Sequence, residues 1–177
     1  NIYASFFSHM DASADRYARS SRKCIYNWLY DKIPNTDLRK KWWNGPEDGG
    51  TSDTKPYNQV KFRYSDKSSD LGDYIFMRAE EMQLVKAEAL CRAAQYEEAK
   101  AALVELMELR DESGYEQSLK GLTMSNELTM GSIGNPTTLL DMIILQRRIE
   151  LWGESERIFD ILRMKTGFDR NAPGSNH

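Results

Sequence analysis

In the middle of the chain, apolar side chains recur at three- and four-residue steps, the spacing of amphipathic helices. Residues 73–93 make the clearest predicted helix, and its apolar rows are Leu84, Ala87 and Cys91, and Met82, Val85 and Ala89. A second predicted helix covers 96–112, with an inward stripe of Ala99, Ala102, Leu103, Leu106 and Leu109. The corner between them is only residues 94–96, so the two helices are expected to form an antiparallel hairpin.

Small residues occupy matching places on the two helices of this hairpin. Ala87 and Ala99 allow the helices to approach closely, while Leu90, Tyr96 and Leu103 fill the space around them. The spacing resembles one tetratricopeptide repeat, and only one clear copy is present. The fold class predicted is therefore all-α, with tetratricopeptide-like hairpins in a superhelical scaffold, long loops and at most a short pair of strands.

Helical patterns continue after a polar, glycine-bearing connection over residues 111–136. Thr138 precedes a third predicted helix in the manner of a capping box, with Leu140, Ile143, Ile144 and Leu151 directed inward. Gly153 and Ser155 are expected to interrupt it, because glycine costs about 1 kcal/mol in a helix interior. A fourth short helix is predicted from about residue 155 to Met164.

The first seventy residues have weaker patterns. Residues 20–33 are predicted to be helical with Ser20 or Ser21 as the cap, and residues 35–43 to form a second short helix. Residues 57–64 alternate between apolar and polar side chains, which predicts a short strand. The domain organisation predicted is a loop-rich segment 1–73, a helical core 74–164 and a truncated tail 165–177, together making one partial domain.

Residues 147–163, "RRIELWGESERIFDILR", combine dense charge with a buried-type apolar pattern. Opposite charges recur at three-residue steps, as in Arg147 to Glu150, Glu154 to Arg157, and Asp160 to its neighbours Arg157 and Arg163. The apolar members are expected to pack on the hairpin: Ile149, Leu151, Trp152, Ile158, Phe159, Ile161 and Leu162. Charges beside so apolar a face must be paired, so we interpret them as structural ion pairs rather than catalytic groups.

Composition excludes several classes of function. The net charge of −3 gives no electrostatic support to phosphate binding, and no apolar run approaches a membrane-spanning length. Cys24 and Cys91 make neither a disulfide framework nor a metal cluster, and Cys91 is expected to be a small buried apolar residue. His9 and His177 lack ligand spacing, so no metal site is predicted. No phosphate loop, catalytic triad or metal motif is present, and neither an enzyme nor a cofactor is predicted.

Three stretches resemble the SusD/RagB family of outer-membrane nutrient-binding lipoproteins: residues 77–90, 96–103 and 145–163. The first family motif is matched by Arg78, Glu81, Leu84, Ala87, Glu88 and Ala89. The second is matched by Arg147, Arg148, Glu150, Leu151, Glu154, Arg157, Phe159, Asp160 and Arg163. Ser155 stands where the family usually has glycine, and Ile158 where it often has tryptophan.

This resemblance implies a surface-exposed lipoprotein of the outer membrane that binds oligosaccharides or other nutrients and acts with a TonB-dependent, SusC-like transporter. It implies no nucleic-acid partner, and contact with the membrane only through a lipid anchor that is not in this chain. Because the family's members are longer, we expect this chain to be a C-terminal-side portion.

Sugar binding requires exposed aromatic rings with polar neighbours, and the candidates on loops are Tyr17, Trp42, Trp43 and Tyr57. Core packing is the alternative for Trp42 and Trp43, whereas Tyr17 has polar neighbours. The alternatives to a glycan-binding function are a helical scaffold that binds proteins and carries no glycan site, and a module associated with a glycosidase.

Overall fold

The computed structural model describes residues 6–14, 16–49, 54–73, 75–131, 134–154 and 156–167, with the side chain of residue 156 left aside. Helices dominate this part of the chain, and the described residues pair as strands only in isolated bridges. No helix in the described ranges is long and apolar enough to cross a membrane. The mostly helical fold that the sequence predicts is confirmed. The chain forms two compact units, one from residues 1–32 and 40–76 and the other from 33–39 and 77–175.

The first unit contains short helices joined by loops. Its helices are α1 (Phe6–Met10), α2 (Arg16–Ser20) and α3 (Asn27–Asp31), and a 3-10 helix spans Leu38–Trp42 across the sequence boundary between the units. Helix α3 is much shorter than the predicted helix over 20–33, because Ser20 ends α2 and residues 21–26 are not helical. The 3-10 helix replaces the short α-helix predicted over 35–43.

The strand predicted over residues 57–64 is wrong, since only two single bridges form there, Cys24 to Asn58 and Trp43 to Gln59. Gln59 lies on the side predicted to be polar, yet it is buried. Its amide donates to the carbonyl of Met10, and its side-chain oxygen accepts from the backbone N–H of Phe62 at 2.9 Å. These side-chain hydrogen bonds satisfy backbone groups that a neighbouring strand would otherwise bind, so the segment does not form a continuous β-ladder.

The second unit is built on the predicted helical hairpin, formed by α4 (Ala79–Arg92) and α5 (Tyr96–Arg110). Helix α4 begins six residues later than predicted, and residues 75–78 are not helical. One apolar row was assigned correctly, because Leu84, Ala87 and Cys91 are buried together with most of the α5 stripe. The second row was assigned wrongly, since Met82, Val85 and Ala89 are exposed, as is Leu109 of the α5 stripe. The charge pattern of α4 also predicts a solvated face of Glu81, Glu88 and Arg92, but Glu88 is buried.

The corner of the hairpin closes with a Schellman motif. The N–H of Gln95 donates to the carbonyl of Leu90 at 3.0 Å, and the N–H of Ala94 donates to that of Cys91 at 3.0 Å. Ala94 is in the left-handed region with φ 59°, a conformation that glycine adopts more easily. Helix α4 therefore ends here because these two hydrogen bonds close its last turn, and the positive φ of Ala94 places some strain on the backbone.

A buried carboxylate organises the long connection between α5 and the next long helix, α7 (Leu139–Glu150). The described part of the connection contains one short helix, α6 (Tyr115–Leu119). Asp141 accepts hydrogen bonds from the backbone N–H groups of Thr129, Met130, Thr137 and Thr138. The Thr138 hydroxyl in turn accepts from the N–H of Asp141 at 3.1 Å, which confirms the predicted capping box.

Helix α7 is buried almost all round and packs mainly on α4. It ends at Glu150, and Gly153 follows with φ 81°, so the interruption predicted at Gly153 is confirmed, whereas Ser155 lies outside the described residues. Helix α8 (Glu156–Met164) has the predicted range, but part of its predicted packing is wrong. Ile158, Phe159 and Leu162 are exposed, because this helix turns Asp160 inward to pair with arginine and leaves its apolar side outside.

Candidate functional site

The most connected polar group of the second unit is the carboxylate of Glu150, at the C-terminal end of α7. Glu150 has 0% of its surface exposed, and its carboxylate forms ion pairs with three arginines. Arg78 reaches Oε1 at 2.8 Å, Arg110 reaches Oε1 at 3.0 Å, and Arg39 reaches Oε2 at 3.3 Å. Arg78 also donates to the backbone carbonyl of residue 150 at 2.7 Å, which places a cation on the C-terminal end of the helix.

Each arginine around Glu150 has a second acidic partner. Arg39, of which 1% is exposed, bonds Asp37 at 2.6 Å and the side-chain oxygen of Gln146 at 2.6 Å. Arg78 bonds Glu154 at 3.0 Å, and Arg110 bonds Glu80 at 2.7 Å. We call these residues the Glu150 cluster: Asp37, Arg39, Arg78, Glu80, Arg110, Gln146, Glu150 and Glu154. Because its carboxylates and guanidiniums bond one another, the cluster offers a structural frame rather than an acid or a base for catalysis.

Electrostatics keep this frame charged. Burial by itself would raise the pKa of Glu150, but the hydrogen bond from Arg110 and the charges of Arg39 and Arg110 bring that pKa below its usual value. Burial acts against the charge of Arg78 as well, but its hydrogen bonds to Glu150 and Glu154 and the charges of those two carboxylates together outweigh burial, so the pKa of Arg78 is raised. The carboxylate is therefore ionised at neutral pH although it is fully buried.

A second group of ion pairs joins α4 to α8. Arg163 donates to Glu88 at 2.7 Å and to Asp160 at 2.7 Å, and Arg147 donates to Asp160 at 3.3 Å. Arg92 completes the group by bonding Glu88 at 2.7 Å. The pKa of Glu88 is lowered, since the hydrogen bonds from Arg163 and Arg92 outweigh its burial. A groove of about 310 Å³ lies beside this group and is lined by Val85, Glu88, Ala89, Arg92, Arg147 and Arg163.

The three-residue charge steps predicted from the sequence form only in part. Asp160 and Arg163 pair as predicted, and the expectation that charges on this segment are buried and paired holds for Glu150 and Asp160. Arg147 bonds Asp160 and Glu154 bonds Arg78, so the predicted steps from Arg147 to Glu150 and from Glu154 to Arg157 are replaced by longer-range pairs.

The other residues of the two family motifs have different surroundings. Arg148 and Arg157 lie close together at a small cavity, and burial together with the charge of Arg157 lowers the pKa of Arg148 to about 10. Glu81 is half-buried on α4. Phe159 is 60% exposed on α8.

The four aromatic candidates for ligand binding all belong to the first unit. Tyr17 is 52% exposed, and its ring lies 4.6 Å from that of His9. Trp42 is half-buried with the ammonium of Lys61 4.5 Å from its ring centre, and Tyr57 is half-buried with its ring 5.5 Å from that of Tyr30. Trp43 is 3% exposed, so its ring is part of the core, the alternative expected for it.

Sequence reasoning missed five of the eight residues of the Glu150 cluster. Asp37, Arg39, Glu80, Arg110 and Gln146 were not identified, because they belong to different elements and follow no local spacing. Arg39 lies 111 positions before Glu150, so neither helical periodicity nor charge spacing relates the two residues. Only the density of charge near Glu150 in the sequence indicated that a buried network was present.

The described residues include no group of three or more histidine, cysteine or acidic side chains that could hold a metal ion. Cys24 and Cys91 are free thiols, and Cys91 is buried as predicted. The geometry therefore gives a charged structural frame in the second unit and aromatic side chains, one of them well exposed, in the first.

Comparison with known proteins gives two findings. The model of the SusD family matches residues 31–176. A crystal structure described as a SusD-like carbohydrate binding protein from Bacteroides vulgatus has a TM-score of 0.64 and 25% sequence identity with this chain. The match covers 90% of this chain and 31% of that protein, so this chain spans about a third of its length. No match was found among curated proteins.

Proposed function

The chain belongs to the SusD family, and on this premise we propose that the protein binds glycans or related nutrients at the cell surface without transforming them. The observation that carries this proposal is the similarity, over 90% of the chain, to a protein described as carbohydrate binding. The lack of any catalytic motif in the sequence agrees with binding rather than chemistry. The family implies that the protein is located at the cell surface as a lipoprotein held by a lipid anchor.

We assign sugar contact to the first unit, where the exposed ring of Tyr17 is the leading candidate. A sugar ring presents an apolar face that stacks on an aromatic side chain and hydroxyl groups that need polar partners. Tyr17 offers such a ring beside His9, with Arg19 two residues further along the chain. Trp42 and Tyr57 are secondary candidates because half of their surface is covered. Trp43 is the weakest, since a ligand would have to displace core residues to reach it.

The direct test is affinity electrophoresis in gels containing individual polysaccharides, followed by calorimetric titration with oligosaccharides of the retained type. We expect Tyr17→Ala to weaken binding by about fivefold or more, the equivalent of about 1 kcal/mol of lost stacking. Phe159→Ala, which removes an exposed ring from the second unit, is the matched control and should bind as the parent does.

Two results would contradict this proposal. Unchanged mobility with every polysaccharide would refute glycan binding by this chain. Release of reducing sugar during the incubation would instead indicate a glycosidase.

We further propose that α8 contributes to docking on a TonB-dependent outer-membrane transporter of the SusC type. This is supported by the three exposed apolar side chains of α8, Ile158, Phe159 and Leu162. Exposed apolar clusters of this kind are typical of protein interfaces. Leu162→Asp should reduce co-purification with the transporter, whereas Leu71→Asp, at an equally exposed leucine of the first unit, should not.

These two tests separate the main proposal from its alternative. Retained docking in a chain that binds no glycan would favour a helical scaffold that binds proteins. Equal co-purification of both aspartate variants would refute docking through α8.

A further inference from the structure

A buried carboxylate to which none of the described residues donates lies at the end of α5. Asp111 is 3% exposed, and neither of its side-chain oxygens accepts a hydrogen bond from the described residues. The other deeply buried carboxylates of the second unit differ, since Asp141 and Glu150 each accept several hydrogen bonds. Burying a carboxylate without compensation is costly, so a charge or a donor is required at this position.

The oxygens of Asp111 lie close against Gly114, which has no side chain. A side chain begun at Gly114 would place its first carbon 2.7 Å and 2.8 Å from the two carboxylate oxygens and 2.6 Å from the hydroxyl oxygen of Thr36. Gly114 has φ −127°, a conformation open to any residue. Glycine is therefore needed here because three oxygens converge where a β-carbon would lie, and not because of backbone geometry.

We propose that Asp111, Thr36 and the backbone around Gly114 bind a hard divalent cation of the calcium type. Two carboxylate oxygens and a hydroxyl oxygen are ligands that such ions prefer, at about 2.3–2.6 Å. The ion would neutralise the buried charge of Asp111. Calcium fits better than magnesium, because magnesium keeps most of its water shell and the carboxylate oxygens are closed off from solvent. A transition metal is disfavoured by the lack of nitrogen or sulfur ligands in the set.

The site can be tested by terbium luminescence, since Tb³⁺ replaces Ca²⁺ and is excited through a nearby tyrosine. Tyr115 directly follows Gly114 and would act as that donor. We expect saturable emission that Ca²⁺ reverses at concentrations at which Mg²⁺ does not. Asp111→Asn and Gly114→Ala should each weaken Tb³⁺ binding at least tenfold, the first by removing charge and the second by pushing the three oxygens out of position.

Matched variants control for the many other carboxylates and glycines. Glu112→Gln removes an exposed neighbouring charge, and Gly131→Ala adds a methyl group where nothing lies within 4 Å. Both should bind Tb³⁺ as the parent does. Emission that weakens equally in Glu112→Gln and Asp111→Asn would overturn the proposal, because it would indicate diffuse binding to surface charge.

Thermal unfolding gives a second measurement that does not depend on luminescence. Ca²⁺ should raise the unfolding midpoint of the parent and of Gly131→Ala but not of Asp111→Asn. Without Ca²⁺, Asp111→Asn should unfold at a higher temperature than the parent, since a neutral amide is less costly to bury. A parent midpoint that does not change with Ca²⁺, with no Tb³⁺ emission, would refute the site. Far-UV circular dichroism confirms that each variant is folded, and glycan binding is scored separately.

Discussion

Replacing Glu150 with glutamine removes one charge from the centre of the Glu150 cluster while keeping the side-chain volume. The three arginines are affected differently. Arg39 is fully buried but keeps Asp37 and Gln146 as partners, whereas Arg78 and Arg110 are partly exposed and keep Glu154 and Glu80. Because every arginine retains one acidic partner, none is left as an isolated buried charge.

This geometry sets the size of the effect. Breaking a buried ion pair from one side costs about 3–5 kcal/mol, and the partial exposure of Arg78 and Arg110 lets water take up part of the loss. We therefore expect Glu150→Gln to lower the free energy of unfolding by about 3 kcal/mol. Glu80→Gln is the matched control. The carboxylate of Glu80 is partly exposed and bonds the same Arg110, so this substitution should lower the free energy of unfolding by less than about 1 kcal/mol.

Urea denaturation followed by circular dichroism measures both variants. With a slope of about 1–3 kcal/mol per molar urea, the expected loss moves the Glu150→Gln midpoint down by about 1–3 M. The difference from the parent should also depend on pH. The pKa of Glu150 in the folded state lies below its ordinary value of 4.5, so the stabilisation is present above pH 4.5 and is lost as the pH falls through the folded-state pKa. The parent then approaches the variant in stability.

The reasoning would be refuted by a Glu150→Gln midpoint within about 0.3 M of the parent at neutral pH, or by equal losses in Glu80→Gln and Glu150→Gln. A difference that stayed constant down to strongly acidic pH would show that the loss comes from packing and not from charge.

Three further predictions concern other parts of the fold. Asp141→Asn should lower the free energy of unfolding by about 3 kcal/mol and speed proteolysis at Lys120 in the connection between α5 and α7, because Asp141 accepts hydrogen bonds from several backbone N–H groups there. Unchanged proteolysis would refute this role. The whole chain should lose stability below about pH 4, since the pKa values of Glu88 and Asp141 are also lowered and both groups must be protonated; a pH titration of the thermal midpoint that stays flat in this range would contradict it. Ala94→Gly should stabilise the hairpin by about 0.5–1 kcal/mol, because glycine relieves the strain of the positive φ at residue 94. Ala101→Gly, in the exposed interior of α5, should destabilise the hairpin by about as much. Equal losses of stability in the two variants would show no strain at residue 94.

The sequence alone determined the elements whose causes are local. The hairpin of α4 and α5, the capping box at Thr138, the end of α7 and the range of α8 all depend on spacings of a few residues. Hydrogen bonds within helices and their caps connect positions three or four apart, so a single helical segment contains the information that places them. The family motifs lie on these same elements, which is why the SusD assignment followed from sequence and was confirmed.

Tertiary structure decided which side of each helix is covered and which charges meet. Met82 and Val85 have the spacing of a buried row, yet Leu84 and Ala87 face the core, because periodicity gives two apolar rows on α4 and only packing selects between them. Arg39 contacts Glu150 across 111 positions, and Asp111 and Thr36 both lie beside Gly114, because distant segments fold together. Local spacing carries no information about which residues far apart in the sequence come together, so the charged frame and the proposed cation site form only when the chain is folded.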